Sequence, residues 1–361
     1  MSKKLGVLIH GAGWVASQHI QAFQKNPHTE VRAISSRTLE SARNRAAEFG
    51  LDVPCHIDYK AALEQPDIDI VAVCTPQHLH PENTIAAARA GKHIVIEKPA
   101  AMTLGDARAM RDAVREAGVR TVVSFVLRWN PLFQAIKSRI AADAIGRVYC
   151  VETDYQSYAG DWWGGYGLGR QKELGGSAFL VAGCHAIDAL RWFAAPGEFE
   201  AATPVEVFAC QGGLRGQSTA QYNPITGDWH EGEPLEYPGV EMAFVRFDNG
   251  VIGKVSVNFE CIQPYAFPVR IFGDRGTIRD NQLWAPAGAA TPGWETIPGI
   301  TPDSADVTHH PFQAQIDHFV GCIQEGRESH CNLEDALRTH EVIFAAQRCN
   351  ETGRSVSLPL P

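Results

Sequence analysis

The stretch GVLIHGAGWVA, residues 6–16, decides how the first part of the chain folds. It begins with a nearly continuous apolar run, which is typical of a strand buried on both faces of a parallel sheet. Gly11, Gly13 and Ala16 follow at the spacing G-x-G-x-x-G/A, where a strand turns into a helix. The first glycine allows a tight turn, the second lets the backbone approach a pyrophosphate, and the alanine allows close packing. A plain strand-to-helix turn is the alternative, but the pattern predicts a dinucleotide site that includes Gly11, Gly13, Trp14 and Val15.

Four further strand-like runs follow, with helix-like segments between them. The segment that starts at Thr103 has Asp106 three residues later and Gly118 at its end, which are signals for the start and the end of a helix. Strands that alternate with helices predict an α/β Rossmann domain over residues 1–125. The runs are VRAIS (31–35), DIVAVCT (69–75), HIVIE (93–97) and TVVSF (121–125).

The end of the second strand bears on the choice between NAD and NADP. An acidic residue there would bond the ribose 2′-hydroxyl and repel a 2′-phosphate. This chain has Ser35, Ser36 and Arg37 at that point and no acid. Hydroxyls and a guanidinium suit a phosphate, so the sequence favours NADP bound through Ser36 and Arg37. NAD is the alternative, because Arg37 could instead stack on the adenine of either cofactor.

Composition limits the classes of protein and partner. The chain has 361 residues, enough for two domains, and is 45% hydrophobic and 20% charged, as soluble globular proteins are. A net charge of −9 argues against a nucleic-acid partner. No apolar run approaches the roughly 18 residues of a membrane span, and the N-terminal run is broken by His10 and glycines, which favours a strand over a signal peptide. Nine cysteines, an odd number without a CxxC pair, are typical of reduced thiols in a cytoplasmic protein.

The segment CTPQHLHPENTIAAARAGKHIVIEKPAA, residues 74–101, resembles the hallmark of the Gfo/Idh/MocA family of sugar and polyol oxidoreductases. That hallmark is a T-P-x-x-x-H segment followed by a strand that ends in E-K-P, and Gln77 stands where Asn is commoner. The C-terminal tail is also similar to the family's, so the resemblance covers essentially the whole chain. It implies a Rossmann domain followed by a domain with a large, mainly antiparallel, open-faced sheet. It also implies cofactor contacts by Thr75, Pro76, His80, Glu97 and Lys98, with Glu97 near the nicotinamide ribose.

The remaining residues, 126–361, independently predict an α+β domain. With the resemblance, this domain is expected to serve substrate binding and oligomerisation, and its last residues could pack back on the first domain. Five runs rich in β-branched and aromatic residues predict strands, and Asn249-Gly250 is a strong hairpin signal. Residues 214–239 lack periodicity and predict a long loop, which is either a lid or contact surface or a solvated connection. The runs are RVYCVETDY (147–155), PVEVFACQG (204–212), VEMAFVRFDNG (240–250), VIGKVSVNFE (251–260) and PVRIFGDRGTI (268–278).

Hydride transfer to or from a nicotinamide also needs a group that exchanges a proton with the substrate oxygen. Lys98 follows the HIVIE strand, at the edge of the sheet where such ligands bind, and it precedes a proline that fixes the chain. Its ammonium could bond the reacting oxygen and stabilise negative charge there. We predict that Lys98 is catalytic and contacts the substrate, and a solvated surface lysine is the alternative.

The stretch GGSAFLVAGCHAID, residues 175–188, carries the second predicted catalytic residue. In the family this helix commonly has an Asp four residues before the His, so that the two form a proton-relay pair on one helix face. Val181 occupies the Asp position here, so His185 is predicted to carry protons and contact the substrate without that carboxylate. Asp188 is a further predicted substrate contact that could orient His185, or it could be structural. A core histidine is the alternative for His185.

Further cofactor and substrate contacts are predicted near this helix. Arg128 lies in FVLRWNP (125–131), which is similar to a family segment, and could reach the nicotinamide carboxamide. The glycine-rich residues 160–176 offer aromatic faces and donors that suit a sugar ring, although core packing is the alternative for either tryptophan. No metal is predicted, because His309-His310 and Cys184-His185 lack a ligand spacing. The predicted substrate contacts of this group are Trp162, Trp163, Arg170, Lys172 and Tyr265.

Together these residues predict an NADP-dependent oxidoreductase that acts on a sugar, polyol or glycoside, with NAD as the alternative cofactor. A glycoside-cleaving enzyme that keeps and regenerates bound NAD is a second hypothesis. A nucleotide-sensing protein that has lost catalysis is a third, which Val181 would allow. An open-faced sheet whose second face is uncovered also predicts a homodimer or homotetramer.

Overall fold

The structure is a computed structural model that describes residues 3–214, 218–285, 293–299 and 310–361. The chain divides into two compact units. The first consists of Met1–Val126 and Pro311–Leu337, and the second of Leu127–His310 and Arg338–Pro361. The chain thus leaves the first unit next to the predicted boundary, whereas residues 311–337 group with the first unit and not with the second.

The first unit is built on a parallel sheet. Its strands are β1 (Leu5–His10), β2 (Thr29–Ser35), β3 (Cys55–His56), β4 (Ile70–Val73), β5 (His93–Ile96) and β6 (Thr121–Val123). All neighbours run parallel in the order β3-β2-β1-β4-β5-β6, which confirms the predicted Rossmann fold. Val7, Leu8 and Ile9 are fully buried, as expected of a central strand covered on both faces.

The helix that begins after Thr103 follows the expected start and stop signals. Thr103 accepts a hydrogen bond from the Asp106 N–H at 3.1 Å, and Gly118 ends that helix with φ of 64°, which confirms the predicted caps. None of the described helices is both long and apolar enough to cross a membrane. The helices are α1 (Trp14–Lys25), α2 (Leu39–Glu48), α3 (Tyr59–Leu63), α4 (His80–Arg89), α5 (Leu104–Ala117), α6 (Pro131–Ala141), α7 (Tyr166–Gly169), α8 (Lys172–Gly175), α9 (Cys184–Ala194), α10 (Phe312–Glu325) and α11 (Leu333–Thr352).

The second unit contains a large mixed sheet and a small separate hairpin. The hairpin strands are β9 (Ala220–Tyr222) and β10 (Trp229–Glu231), which lie inside the predicted loop 214–239. The strands of the large sheet are β7 (Val148–Gln156), β8 (Pro204–Gly212), β11 (Val240–Phe247), β12 (Ile252–Asn258), β13 (Val269–Gly273), β14 (Thr277–Arg279), β15 (Gln282–Trp284), β16 (Glu295–Thr296) and β17 (Val356–Ser357).

The large sheet has the order β16-β15-β14-β13-β7-β12-β11-β8-β17 among the described residues. Only the β7–β12 pair is parallel there, so the predicted mainly antiparallel sheet is confirmed. The predicted hairpin is also confirmed, because Asn249-Gly250 joins β11 to β12 and Gly250 has φ of 85°. Every one of the five predicted runs contains a strand, while β15, β16 and β17 are additional.

The two faces of this sheet differ. One face packs against α9, where the Thr153 hydroxyl donates to the Ala186 carbonyl at 2.9 Å. The other face exposes apolar side chains in neighbouring strands, and Phe208 lies directly across from Phe244. Exposure is 46% for Phe208, 62% for Phe244 and 54% for Ile252, which is high for residues in the middle of a sheet.

Candidate active site

The glycine-rich turn after β1 has the geometry that a pyrophosphate needs. Gly11 has φ of 114°, and a Cβ there would lie 2.4 Å from the Cys74 carbonyl oxygen, so only glycine fits. Gly13 precedes α1 without a side-chain cap, and a Cβ on it would meet nothing within 4 Å. The first N–H groups of α1, from Trp14 and Val15 onward, are therefore suited to anionic oxygens. These residues fit a dinucleotide cofactor.

Arg45 on α2 supports this turn, and the sequence pattern did not reveal it. Its Nε and Nη2 donate to the Ala12 carbonyl at 3.3 and 3.0 Å. Nη1 also pairs with Glu48 at 2.7 Å. Since Ala12 lies between the two glycines, the guanidinium holds the backbone of the turn from its outer side and brings a positive charge to it.

Hydroxyl groups cluster at the end of β2. Ser41 Oγ lies 2.9 Å from Ser36 Oγ and 2.8 Å from Thr38 Oγ1. Arg37 between them is exposed. Ser35, in contrast, is fully buried and bonds His10 Nδ1 at 2.8 Å, so it belongs to the core. Ser41 is a further hydroxyl at this point, which the sequence interpretation missed because it belongs to the next helix.

Glu97 and Lys98 directly follow β5. The Glu97 carboxylate is buried, with Oε1 at 2.7 Å from His19 Nε2. Burial by itself raises the pKa of Glu97, but the His19 hydrogen bond and the nearby charges of His19 and Lys98 lower that pKa below its usual value. Glu97 is therefore held as a carboxylate beside the half-buried Lys98, whose backbone N–H donates to Oε2 at 3.2 Å.

His80 joins the loops that follow β4 and β5. Its Nε2 lies 2.8 Å from the Thr75 carbonyl oxygen and its Nδ1 lies 2.8 Å from the Pro99 carbonyl oxygen. Burial lowers the pKa of His80, against the raising effect of these two carbonyls. The imidazole thus fixes the backbone around Thr75, exposed Pro76 and Lys98. Direct cofactor contacts by Thr75, Pro76 and His80 stay predictions.

His185 lies in the first turn of α9 in the second unit and is 8% exposed. The turn before it is a π-helix, Phe179–Gly183, and not the α-helix on which the predicted spacing rests. Because π-turns bond i to i+5, residues four apart no longer lie directly above one another. Val181 is 3% exposed and packs beside Gly169. A Cβ placed on Gly169 would lie 3.6 Å from Val181 Cγ1. Where the family commonly has a carboxylate, this chain thus has an apolar side chain that contacts the glycine-rich residues 160–176.

Arg128 and Asp188 form a buried ion pair. Arg128 Nε donates to Asp188 Oδ2 at 2.7 Å, and Nη2 donates to Oδ1 at 2.6 Å. Their side chains are 1% and 2% exposed. Thr339 Oγ1 donates to the same carboxylate at 3.3 Å. This arrangement gives both residues a structural role, while the predicted contacts of Arg128 with the cofactor and of Asp188 with the substrate stay predictions.

Four of the other predicted substrate contacts lie in residues 160–176, and Tyr265 lies between β12 and β13. Trp162 Nε1 donates to the Tyr158 carbonyl at 2.9 Å, and both tryptophans of this segment are half-buried. Arg170 is ion-paired with two glutamates of residues 220–237, and the Lys172 side chain is exposed. The Tyr265 ring packs edge-on against Tyr155 of β7 at 5.1 Å. Substrate contact by each of these residues stays a prediction.

No group of three His, Cys, Asp or Glu side chains within the described residues could hold a metal ion. His309, which was predicted to have no metal role, lies outside those residues. The predicted catalytic residues themselves divide between the units: Lys98 belongs to the first and His185 to the second.

Comparison with known proteins shows the class to which these features belong. Residues 5–125 match the model of an oxidoreductase family with an NAD-binding Rossmann fold, and residues 133–279 match the GFO/IDH/MocA C-terminal domain. The chain therefore belongs to the Gfo/Idh/MocA family, and it is an NAD(P)-dependent oxidoreductase.

Similar proteins include a levoglucosan dehydrogenase of Pseudarthrobacter phenanthrenivorans, 31% identical over 264 residues, which are 70% of this chain and 67% of the relative. A scyllo-inositol 2-dehydrogenase (NAD(+)) of Bacillus subtilis is 26% identical over 364 residues, covering 99% of this chain and 97% of the relative. A solved levoglucosan dehydrogenase in complex with NADH and L-sorbose superposes with a TM-score of 0.85, at 23% identity and complete coverage of both chains. At that identity the superposition supports the fold alone.

Proposed function

We propose that this enzyme moves a hydride between a nicotinamide cofactor and a hydroxyl-bearing carbon of a sugar or polyol. The observation that carries the proposal is the shared edge of the parallel sheet. The open Gly13 turn follows β1 and Lys98 follows β5, and the carboxyl ends of parallel strands meet at one edge. Relatives named for levoglucosan and inositol support a substrate with several hydroxyl groups.

Lys98 and His185 are assigned the proton and charge chemistry. The Lys98 ammonium holds the reacting oxygen and stabilises the negative charge that develops on it. Buried Glu97 is held as a carboxylate and places a negative charge next to Lys98. His185 exchanges the hydroxyl proton without a carboxylate partner at position 181. The bound nicotinamide supplies the hydride transfer itself.

NADP is the proposed cofactor. The support is the absence of an acid at the end of β2 together with the hydroxyl cluster of Ser36, Thr38 and Ser41 and the exposed guanidinium of Arg37. Hydroxyls and a guanidinium match the acceptor oxygens of a 2′-phosphate. The relative named for NAD(+) makes NAD the competing choice.

The enzyme is further proposed to assemble as a homodimer or homotetramer through the open face of the large sheet. Phe208, Met242, Phe244 and Ile252 expose apolar area there, and ion pairs such as Glu206–Arg246 at 2.9 Å lie beside them. An apolar centre with a charged rim is typical of a protein interface. A second copy of the chain would cover this face, and analytical ultracentrifugation at micromolar concentration tests the assembly. A monomer would contradict it.

A cytoplasmic location is also proposed. It rests on the nine cysteines, whose odd number and lack of a CxxC pair do not suit a disulfide framework. Cell fractionation with a tagged chain tests this location, and recovery from a secreted fraction would contradict it.

A substrate screen tests the proposed function. Monosaccharides, polyols, anhydrosugars and glycosides are each incubated with the purified enzyme and NAD or NADP, and the absorbance of reduced nicotinamide is followed. We expect at least one compound to reduce the cofactor stoichiometrically. Release of an aglycone without net cofactor reduction would instead show a glycoside-cleaving enzyme. Cofactor binding without any turnover would show a nucleotide-binding protein that has lost catalysis.

A further inference from the structure

Residues 161–176, here named the tryptophan loop, contain only short helices. The helices α7 and α8 within this loop have four residues each. Isolated helices shorter than roughly 12–15 residues are marginal in water. The two helices contact through glycine, because a Cβ on Gly175 would lie 2.0 Å from the Gly169 carbonyl oxygen. Neither glycine brings a side chain to this contact, and a second segment bonds the loop from outside.

That segment is residues 220–237, here named the brace. Glu236 in the brace makes three hydrogen bonds to the loop. Oε1 accepts from Arg170 Nη1 at 3.0 Å, and Oε2 accepts from the Lys172 backbone N–H at 3.1 Å. The Glu236 backbone N–H donates to the Arg170 carbonyl at 2.9 Å. Because Glu233 also pairs with Arg170 at 3.2 Å, two carboxylates hold this guanidinium, whose side chain is only 18% exposed.

The rest of the brace binds the loop at several other points. The Tyr166 hydroxyl donates to the Glu233 carbonyl at 2.8 Å. The Tyr237 hydroxyl donates to the Gly169 carbonyl. At the other end of the loop, His230 Nε2 lies 2.8 Å from Asp161 Oδ1. The loop is thus tied to the brace at Asp161 and again from Tyr166 to Lys172.

The position of the loop in turn sets the position of Trp163. The Trp163 ring packs on the loop backbone, since a Cβ on Gly165 or Gly169 would lie 2.6 or 3.2 Å from ring atoms. Gly169 also lies beside Val181 of the π-turn that precedes His185. A shift of the backbone near Gly169 would therefore move the aromatic face relative to that turn.

We infer that the brace determines substrate specificity, and that Glu236 is the positioning residue through which it holds the tryptophan loop against the sugar. This inference rests on the proposed function, because it takes Trp162 and Trp163 as the surface that contacts the sugar. Glu236 acts through Arg170 and Lys172 and does not touch the reacting atoms. Substrate binding, and not the chemical step, is therefore the quantity that Glu236 controls.

Steady-state kinetics of four proteins test the inference, with the substrate found in the screen. We expect Glu236→Ala to raise the sugar KM about tenfold or more, since it removes two side-chain hydrogen bonds that place the loop. The kcat should stay within about threefold of wild type, because the reacting groups are unchanged. Glu236→Gln retains one acceptor and should give an intermediate KM. Glu231→Ala removes an exposed carboxylate from the same segment and should match wild type.

An unchanged KM in Glu236→Ala would overturn the inference. The inference would also be overturned if the Ala and Gln variants lost kcat to the same extent and lost thermal stability to the same extent, because this would show a purely structural role. Hydrogen exchange distinguishes a failure of this inference from a failure of the proposed function. If wild type oxidises no compound in the screen, that function fails. Faster exchange confined to residues 161–176 in Glu236→Ala would still support positioning of the loop by the brace, and unchanged exchange there would overturn it.

Discussion

The Arg128 guanidinium holds the Asp188 carboxylate by two parallel hydrogen bonds of 2.7 and 2.6 Å in the interior of the second unit. Asp188 lies one helical turn after His185 on α9, so this pair fixes the helix that carries the proposed proton carrier. Thr339 adds a third bond to the carboxylate, and Arg191 Nη1 donates to Thr339 at 2.8 Å. The acid near His185 is therefore part of a buried network.

Breaking this pair should be costly. Arg128→Met leaves Asp188 buried without its guanidinium, and we expect the free energy of unfolding to fall by about 3–5 kcal/mol. The double variant Arg128→Met/Asp188→Leu should lose less, because neither charge then stays buried alone. Urea denaturation measures both. Arg139→Ala, which removes an exposed pair with Glu295, should cost less than about 1 kcal/mol and serves as the control. A loss below about 1 kcal/mol for Arg128→Met would contradict the structural role.

Glu241 gives a second, pH-dependent prediction. Its carboxyl is 1% exposed beneath the start of the π-helix, and Oε1 accepts from the Phe179 N–H at 3.2 Å. Burial raises its pKa from 4.5 to about 7, against the lowering effect of the hydrogen bonds from Phe179, Ser177 and Ala178. Burial, and then the charge of Glu241, raise the pKa of neighbouring Tyr237.

Because the folded pKa of Glu241 lies above the unfolded value, the folded protein binds the extra proton between pH 4.5 and about 7. Stability from this group is therefore present at acid pH and is lost as the pH rises toward 7. We expect the unfolding free energy of wild type to fall relative to Glu241→Gln by on the order of 2–3 kcal/mol across that window. Urea denaturation from pH 5 to 8 checks this. Parallel pH profiles for the two proteins would contradict it.

Val181 tests whether a lost carboxylate can be restored. On a regular α-helix, Val181→Asp would place an acid one turn before His185 and raise the pKa of the imidazole. The π-turn changes that alignment, and the side chain packs beside Gly169. We therefore expect Val181→Asp to lose more than about 2 kcal/mol of stability by burying an unpaired charge. Val181→Thr keeps the shape and should lose less. A stable Asp variant with an upward-shifted His-linked limb of its pH–rate profile would contradict this account.

Arg37 tests the choice of cofactor. If its guanidinium binds the 2′-phosphate, Arg37→Ala should weaken NADP binding by roughly 1.5–3 kcal/mol, which is about ten- to a hundredfold, and leave NAD binding nearly unchanged. Titration of both cofactors by fluorescence measures the difference. Arg43→Ala removes an exposed charge from the neighbouring helix α2 and is the control. Equal weakening of NAD and NADP would instead favour stacking of Arg37 on the adenine.

Local signals in the sequence were sufficient to predict the Rossmann sheet. Each of its main strands is a short apolar run, and the backbone of the turn after β1 requires glycine. Gly11 is an example, since the Cys74 carbonyl leaves no room for a side chain. The same holds for the Asn249-Gly250 hairpin and for the helix that Thr103 caps. In each case the residues that determine the structure are neighbours in the chain.

Other features depend on contacts between distant residues. The Arg128–Asp188 pair joins residues 60 apart, so the sequence interpretation assigned one to the cofactor and the other to the substrate. The π-turn before His185 has no local sequence signal, and the prediction assumed an α-helix. The brace lay in a segment predicted as a loop because β9 and β10 have only three residues each. Its bonds to Arg170 could be found only in three dimensions.

The most direct test of the account is the turnover of Lys98→Met, with the substrate from the screen. Methionine keeps most of the length of the side chain and removes the ammonium, so the oxygen loses a hydrogen-bond donor and its charge partner. We expect kcat to fall by about 10²- to 10⁴-fold, while the Kd of the nicotinamide cofactor stays within about threefold of wild type. Lys60→Met, at an exposed position on α3, should behave as wild type. A Lys98→Met enzyme that keeps its turnover while binding the cofactor normally would contradict the central role of Lys98.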